Sequence, residues 1–153
     1  MSILTYVNEQ GAGQKHSDLG HYSQAVIVGN IAKLSGQGGW DNDGNLDQYD
    51  WQLQIKNAFE NVDRVLQAAG FRGWEDVSIP YVIGQAWMHL TKLQVYLLRS
   101  YQLDIDKQWK FLVETLRNRI PGHRPIWTAL SVPRLAFPAM SVELEVEAIK
   151  YEG

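Results

Sequence analysis

The stretch IKNAFENVDRVLQAAG, residues 55–70, sets the fold class. Its apolar residues Ile55, Phe59, Val62, Leu66 and Ala69 fall at i, i+4, i+7, i+11 and i+14, the stripe of a helix that buries one face. Gly70 stands where a helix end favours a residue free to adopt positive φ. The spacing predicts a helix within 47–69, and its apolar stripe needs a second layer to cover it. That layer is legible near the C-terminus. In SVELEVEAIKY, residues 141–151, Val142, Leu144, Val146 and Ala148 alternate with Glu143, Glu145 and Glu147, the period of a strand with one face in a core and the other carrying acid.

The remaining elements extend this pair. ILTYV, QAVIVG and IAKLSGQ read as strands filling the first 40 residues, the last two joined by Gly29-Asn30, a pair suited to a hairpin turn. WDNDGNL, residues 40–46, is a loop of turn-forming side chains. It has a superficial likeness to a calcium loop, but the place for a bidentate acid falls on Trp51 or Gln52, so a solvated turn is the better reading. A second helix is expected from Asp106 to Ile120, with Trp109, Leu112, Val113, Leu116 and Ile120 on one face and Pro121-Gly122 stopping it. RPIWTALSVPRL, residues 124–135, reads as a strand and turn that places Trp127 with Ala129 and Ser131. These elements describe an α+β domain with two helices on one face of a mixed sheet. The other face, expected to carry Trp127 and a few polar groups, is left for self-association into a closed oligomer.

A chain of 153 residues with 45% hydrophobic and 20% charged residues fits one soluble domain over 1–153. The formal charge of -3 and the absence of a basic stripe argue against a nucleic-acid partner. No cysteine is present, so thiolate chemistry and disulfides are excluded. His16, His21, His89 and His123 lack metal-ligand spacing and read as surface or turn residues, and no metal or cofactor is expected. There is no nucleophile elbow, P-loop or dinucleotide fingerprint. No apolar run approaches a membrane span, and the start lacks the look of a targeting peptide. The cytoplasm is the expected location, with a mitochondrial address left open.

HYSQAVIVGN, KLSGQGG, NAFENVDRVLQAAG, RPIWTALSVPRL and VELEVEAI occur in that order. Together they resemble the RidA/YjgF family of reactive-intermediate deaminases, also called L-PSP endoribonucleases. The resemblance implies a chorismate-mutase-like fold, a homotrimer with clefts at the subunit interfaces, and a small-molecule ligand. It also implies cofactor-free hydrolysis of 2-imino and enamino acids, with an arginine clamping the carboxylate and a glutamate activating water. By this resemblance Tyr22, Ser35 and Gly36 line the cleft, with Gln37 completing the SGQ block. Glu145 is the candidate for water activation, and burial in a cleft would suit it to that work. His21 stands where the family has proline. The family's arginine position is occupied by Trp127, which with Ala129 on the same strand is expected among the substrate-binding residues, and Arg99, Arg124 or Arg134 could supply the missing charge, although Arg134 matches a structural arginine. A branch lacking the clamp is therefore indicated: a small-molecule-binding protein of imine and enamine deaminase ancestry, with weak or altered hydrolysis of ordinary 2-imino acids. The alternatives are a non-catalytic trimeric binding or chaperone-like module and, third, a ribonuclease.

One stretch, VSIPYVIGQAWMHLTKLQ at residues 77–94, interrupts the family pattern before the expected strand VYLLRSY. It reads either as a natural insertion or as a translated intron. Val-Ser can be encoded by a splice-donor sequence, and the closing Gln can be CAG.

Overall fold

A computed structural model of the chain describes residues 4–74, 87–98, 104–122 and 124–151. The elements run β1 (Thr5–Val7), α1 (Ala12–Gly20), β2 (Ala25–Val28), β3 (Ile31–Gly38), α2 (Trp51–Ala68), β4 (Trp87–Leu98), α3 (Ile105–Arg119), β5 (Ile126–Val132) and β6 (Val142–Tyr151). The six strands form one sheet in the order β1-β2-β3-β6-β4-β5. All neighbours are antiparallel except β4 and β5, so the sheet is mixed. The β2–β3 hairpin closes through Gly29-Asn30, with Gly29 at φ 61°, the first central position where a type II′ turn wants glycine.

Helix α2 starts on Asp50, whose carboxylate accepts from the Leu53 N–H at 2.8 Å. It ends at Gly70, with φ 76° and the Phe71 and Gly70 N–H groups donating to the carbonyls of Leu66 and Gln67. That is the Schellman arrangement foreshadowed by the glycine. Its stripe, Ile55, Phe59, Val62 and Leu66, packs with Leu112, Leu116 and Ile120 from the α3 region against Leu144, Val146 and Ala148 of β6. The alternation read in β6 therefore does what its period requires. A buried amide fixes the helix lengthwise. The Gln54 side chain donates to the carbonyls of Asp47 and Ala139, each at 2.7 Å, and accepts from the Ser141 N–H at 2.8 Å.

Three features depart from the sequence expectations. A helix, α1, occupies residues read as non-helical, because its segment has no apolar period and its N-cap, Gly11, offers no side-chain bond. Side-chain bonds at its two ends hold it instead: the Glu9 carboxylate accepts from the Gly13 N–H, and the Ser17 hydroxyl donates to the Tyr22 carbonyl. The strand expected from Val95 begins at Trp87, because β6 offers ten residues of pairing edge from Val142 to Tyr151. Residues 87–94 of the interrupting stretch thus belong to β4, while 77–86, with Arg99, lie outside the described residues.

The third departure concerns Trp127. The uncovered face was its expected place, but Leu93 pairs in register with both Trp127 and Val146, which puts Trp127 on the helix-covered side. Ala129 follows it there, and both pack against the main core. The partner is Trp109. The buried row of α3 runs through Gln108, Leu112 and Leu116, which leaves Trp109 at the flank, 43% exposed, with its ring stacked on Trp127 at 4.7 Å and 15°. A stacked aromatic pair couples by about 0.5–1.5 kcal/mol beyond its area burial. A double-mutant cycle of Trp109→Ala and Trp127→Ala, read by denaturant unfolding at fixed protein concentration, should return a coupling of about that size. Strict additivity would show that the rings do not interact.

Candidate functional site

The site grows out of a break in the β3–β6 ladder. Leu34 pairs with Val146 and Gln37 with Leu144, so Ser35 and Gly36 together oppose one residue, Glu145. Such a bulge re-aims the side chains around it. Gln37 turns into the interior, where its oxygen accepts from Gln24 Nε2 at 3.1 Å and its own amide donates to the Ser35 carbonyl at 3.0 Å. The Ser35 N–H and hydroxyl both donate to the Gln24 carbonyl, at 2.8 and 3.2 Å. Gln24 also accepts from the Glu9 N–H at 2.8 Å. These amides are buried and satisfied. They tie the segment before α1, the start of β2 and the bulge of β3 into one polar knot, as buried polar groups require.

Above this knot opens a pocket of about 430 Å³ whose walls include Tyr22, Ser35, Gly36 and Glu143. Glu143 lies so close over Gly36 that a Cβ there would fall 1.8 Å from its Oε1. Only a glycine admits the carboxylate. Burial, and then the negative charge of Glu145, push the Glu143 pKa up. Burial, and then Glu143, also raise the Tyr22 pKa, keeping its phenol protonated as a donor. Tyr22 is set by the end of α1. His21 takes the left-handed conformation, φ 52° and ψ 48°, as the helix C-cap, which a proline with φ fixed near -65° could not do. The backbone at His21 therefore excludes the proline that the resemblance leads one to expect there.

The opposite wall is aromatic. The His16 ring meets Trp40 edge-on at 4.6 Å, and Phe137 lies 6.2 Å away. Burial lowers the His16 pKa, which favours the neutral imidazole, and its Nδ1 is buried with no hydrogen-bond partner among the described residues. Sequence reasoning took His16 for a surface or turn residue. The signal that would have placed it, a helix through residues 12–20, was absent from the apolar pattern.

Tyr22, Ser35 and Gly36 therefore come together as the sequence suggested. Glu145 shares the uncovered face of β6 with Glu143 and acts on the pocket through its charge, whereas Glu143 is the carboxylate in the wall. The slip in the ladder at Ser35-Gly36 makes this selection, and no residue count reveals it. Trp127 and Ala129 lie on the other side of the sheet. Trp127 instead borders a second cavity, of about 480 Å³, together with Arg117 and Arg124. Arg134 is exposed and is absent from both walls. No helix among the described residues is long and apolar enough to cross a membrane.

Comparison with solved structures places this architecture. The protein YJGH is 25% identical, with 97% of each chain covered and a TM-score of 0.69. Two others share the fold: Rv2704 from Mycobacterium tuberculosis, a member of the YjgF/YER057c/UK114 family, and YyfA of the Rid family from Yersinia pestis. Rv2704 is 22% identical, with a TM-score of 0.67 over 96% of this chain and 99% of its own. YyfA is 21% identical, with a TM-score of 0.71 over the same shares. No curated protein sequence matches the chain. The family model Endoribonuclease L-PSP matches residues 13–150. The chain belongs to this L-PSP endoribonuclease family, the RidA/YjgF proteins.

Proposed function

We propose that this chain is a hydrolase of small imines or enamines, working in the pocket of Tyr22, Ser35, Gly36 and Glu143, and that ordinary 2-imino acids are poor substrates. The observation that carries the reading is Glu143, a half-buried carboxylate with a raised pKa, held against Gly36 beside a protonated phenol. A carboxyl raised in this way is better suited to take up and hand on a proton than a solvated one. Water attacks the C=N carbon of an iminium, and Glu143 takes the proton released as the carbinolamine forms. Glu143 then returns that proton to nitrogen. As the C–N bond breaks, ammonia leaves with the electron pair and collects the hydroxyl proton, giving the carbonyl product and ammonium. Tyr22 can donate a hydrogen bond to the developing oxygen or nitrogen.

Weak handling of 2-imino acids follows from the missing cation. Neither lysine nor arginine is among the described residues of the pocket wall, so a carboxylate would lack a charge-assisted contact of about 1.5–3 kcal/mol. The same lack speaks against a ribonuclease, whose phosphates would meet Glu143 instead of a basic stripe. A binding module without turnover remains the second reading, and the half-exposed Phe137 at the aromatic wall is compatible with it.

Assembly as a trimer, which the family resemblance implies, has its own support. Ile126 and Leu130 are 72% and 46% exposed and share register with Glu147 and Glu143, on the face that the main helix layer leaves uncovered. Apolar side chains so placed favour association. The Ile126→Glu, Leu130→Glu double variant should elute as a monomer by light-scattering chromatography where the parent protein elutes as a trimer. An unchanged mass would rule this face out as the interface.

Glu143→Gln should lower kcat for an imine substrate by on the order of 10²–10⁴. Its stability should move the other way. A carboxyl whose folded pKa is raised contributes stability at low pH and loses it as pH rises through that pKa. The variant should therefore melt higher than the parent at about pH 8, with the gain gone at about pH 4. An active Glu143→Gln protein would remove Glu143 from the chemistry.

A further inference from the structure

We infer that the pocket takes a flat ligand with an apolar body whose nitrogen is neutral or cationic and which carries no carboxylate, an imine or its iminium instead of an imino acid. The inference rests on the reading of this pocket as the substrate site and names its substrate class. Charge comes first. Glu143 stands in the wall with Glu145 next along the same strand face, while Lys33, a cation on that face, is held by Glu147 at 2.9 Å. A second carboxylate brought into the pocket would face like charge across partly desolvated space. An iminium would face the opposite charge and, across the pocket, the rings of Trp40 and Phe137, which attract a cation.

Shape comes second. His16, Trp40 and Phe137 border one side, and Met140 adds an adaptable thioether, so the lining offers broad apolar surface with polar groups gathered at the Ser35–Glu143 end. Neutral His16 adds no positive charge that could hold a carboxylate. A flat body lies along the rings with its nitrogen toward Glu143.

Benzamidinium and benzoate make the test, since they share a ring and a planar three-atom head and differ in charge. Titrated into the intact protein by calorimetry, benzamidinium should bind about tenfold or more tighter than benzoate, the ratio of one charge-assisted contact. Glu143→Gln should erase that preference, and Phe137→Ala, at a half-exposed position that can lose its ring without unfolding, should weaken benzamidinium binding. Benzoate binding as tightly as benzamidinium, or neither binding, overturns the inference. A parallel assay of imine hydrolysis separates the two readings: benzamidinium preference without turnover supports the ligand class and sinks the hydrolase, whereas turnover of a carboxylate-free imine with benzoate preference supports the hydrolase and sinks the ligand class.

Discussion

Gln24 is the residue on which the functional end of the molecule depends. Its backbone N–H donates to Asn8 Oδ1, its side-chain oxygen accepts from Glu9, its side-chain nitrogen donates to Gln37, and its carbonyl accepts twice from Ser35. Gly13 of α1 sits so close that a Cβ there would be 2.2 Å from its Oε1. Four chain segments thus share one buried amide. An unmade hydrogen bond at such depth costs about 1–3 kcal/mol, so the partners must be in place together or the end of the sheet does not close. The pocket is a by-product of that closure: α1 is drawn in to bring His16 and Tyr22, and the bulge is pinned so that Gly36 meets Glu143.

The pocket also sets fold and function against each other. A carboxylate pushed into the lee of a sheet, with a second one beside it, is held in a setting that disfavours its charge. The rest of the domain tolerates this because the helix layer elsewhere is dry and well filled. Phe59, Ala58, Leu112 and Leu144 have no exposed surface, and Gln54 and Asn61, two of the polar side chains that enter that layer, reach carbonyl partners, while the buried Gln108 amide of α3 has none among the described residues. Close approach does the positioning. A Cβ on Gly39 would stand 2.4 Å from the Gln54 carbonyl oxygen, so α2 lies directly on the chain leaving β3.

What could be read in advance follows the range of the forces involved. The α2 stripe, its glycine stop, the β6 alternation and the two-residue hairpin are local patterns, and each appears where its period put it. The residues Tyr22, Ser35 and Gly36 are legible through the family resemblance of the HYSQ and SGQ blocks, whose Gln24, Ser35 and Gln37 build the polar knot beneath the pocket. Helix α1 was hidden because its stability is borrowed from Glu9, Gln24 and Ser17 contacts and leaves no period in the sequence. The exchange of Glu145 for Glu143 in the pocket wall arises from a one-residue slip in a ladder between strands more than a hundred residues apart, which a linear pattern cannot register. Trp127 was misplaced for a related reason: strand alternation shows which residues share a face, but only pairing with β4 shows which face that is.

The stacked indoles of Trp109 and Trp127 carry a consequence for how this chain can change over generations. Each ring is the other's cover, so replacing one alone leaves its partner with an apolar surface turned to water. The two positions, on separate elements, are therefore energetically coupled. A change at either alone costs more than its own contacts, so the end of the sheet where β5 meets α3 favours replacing the two together.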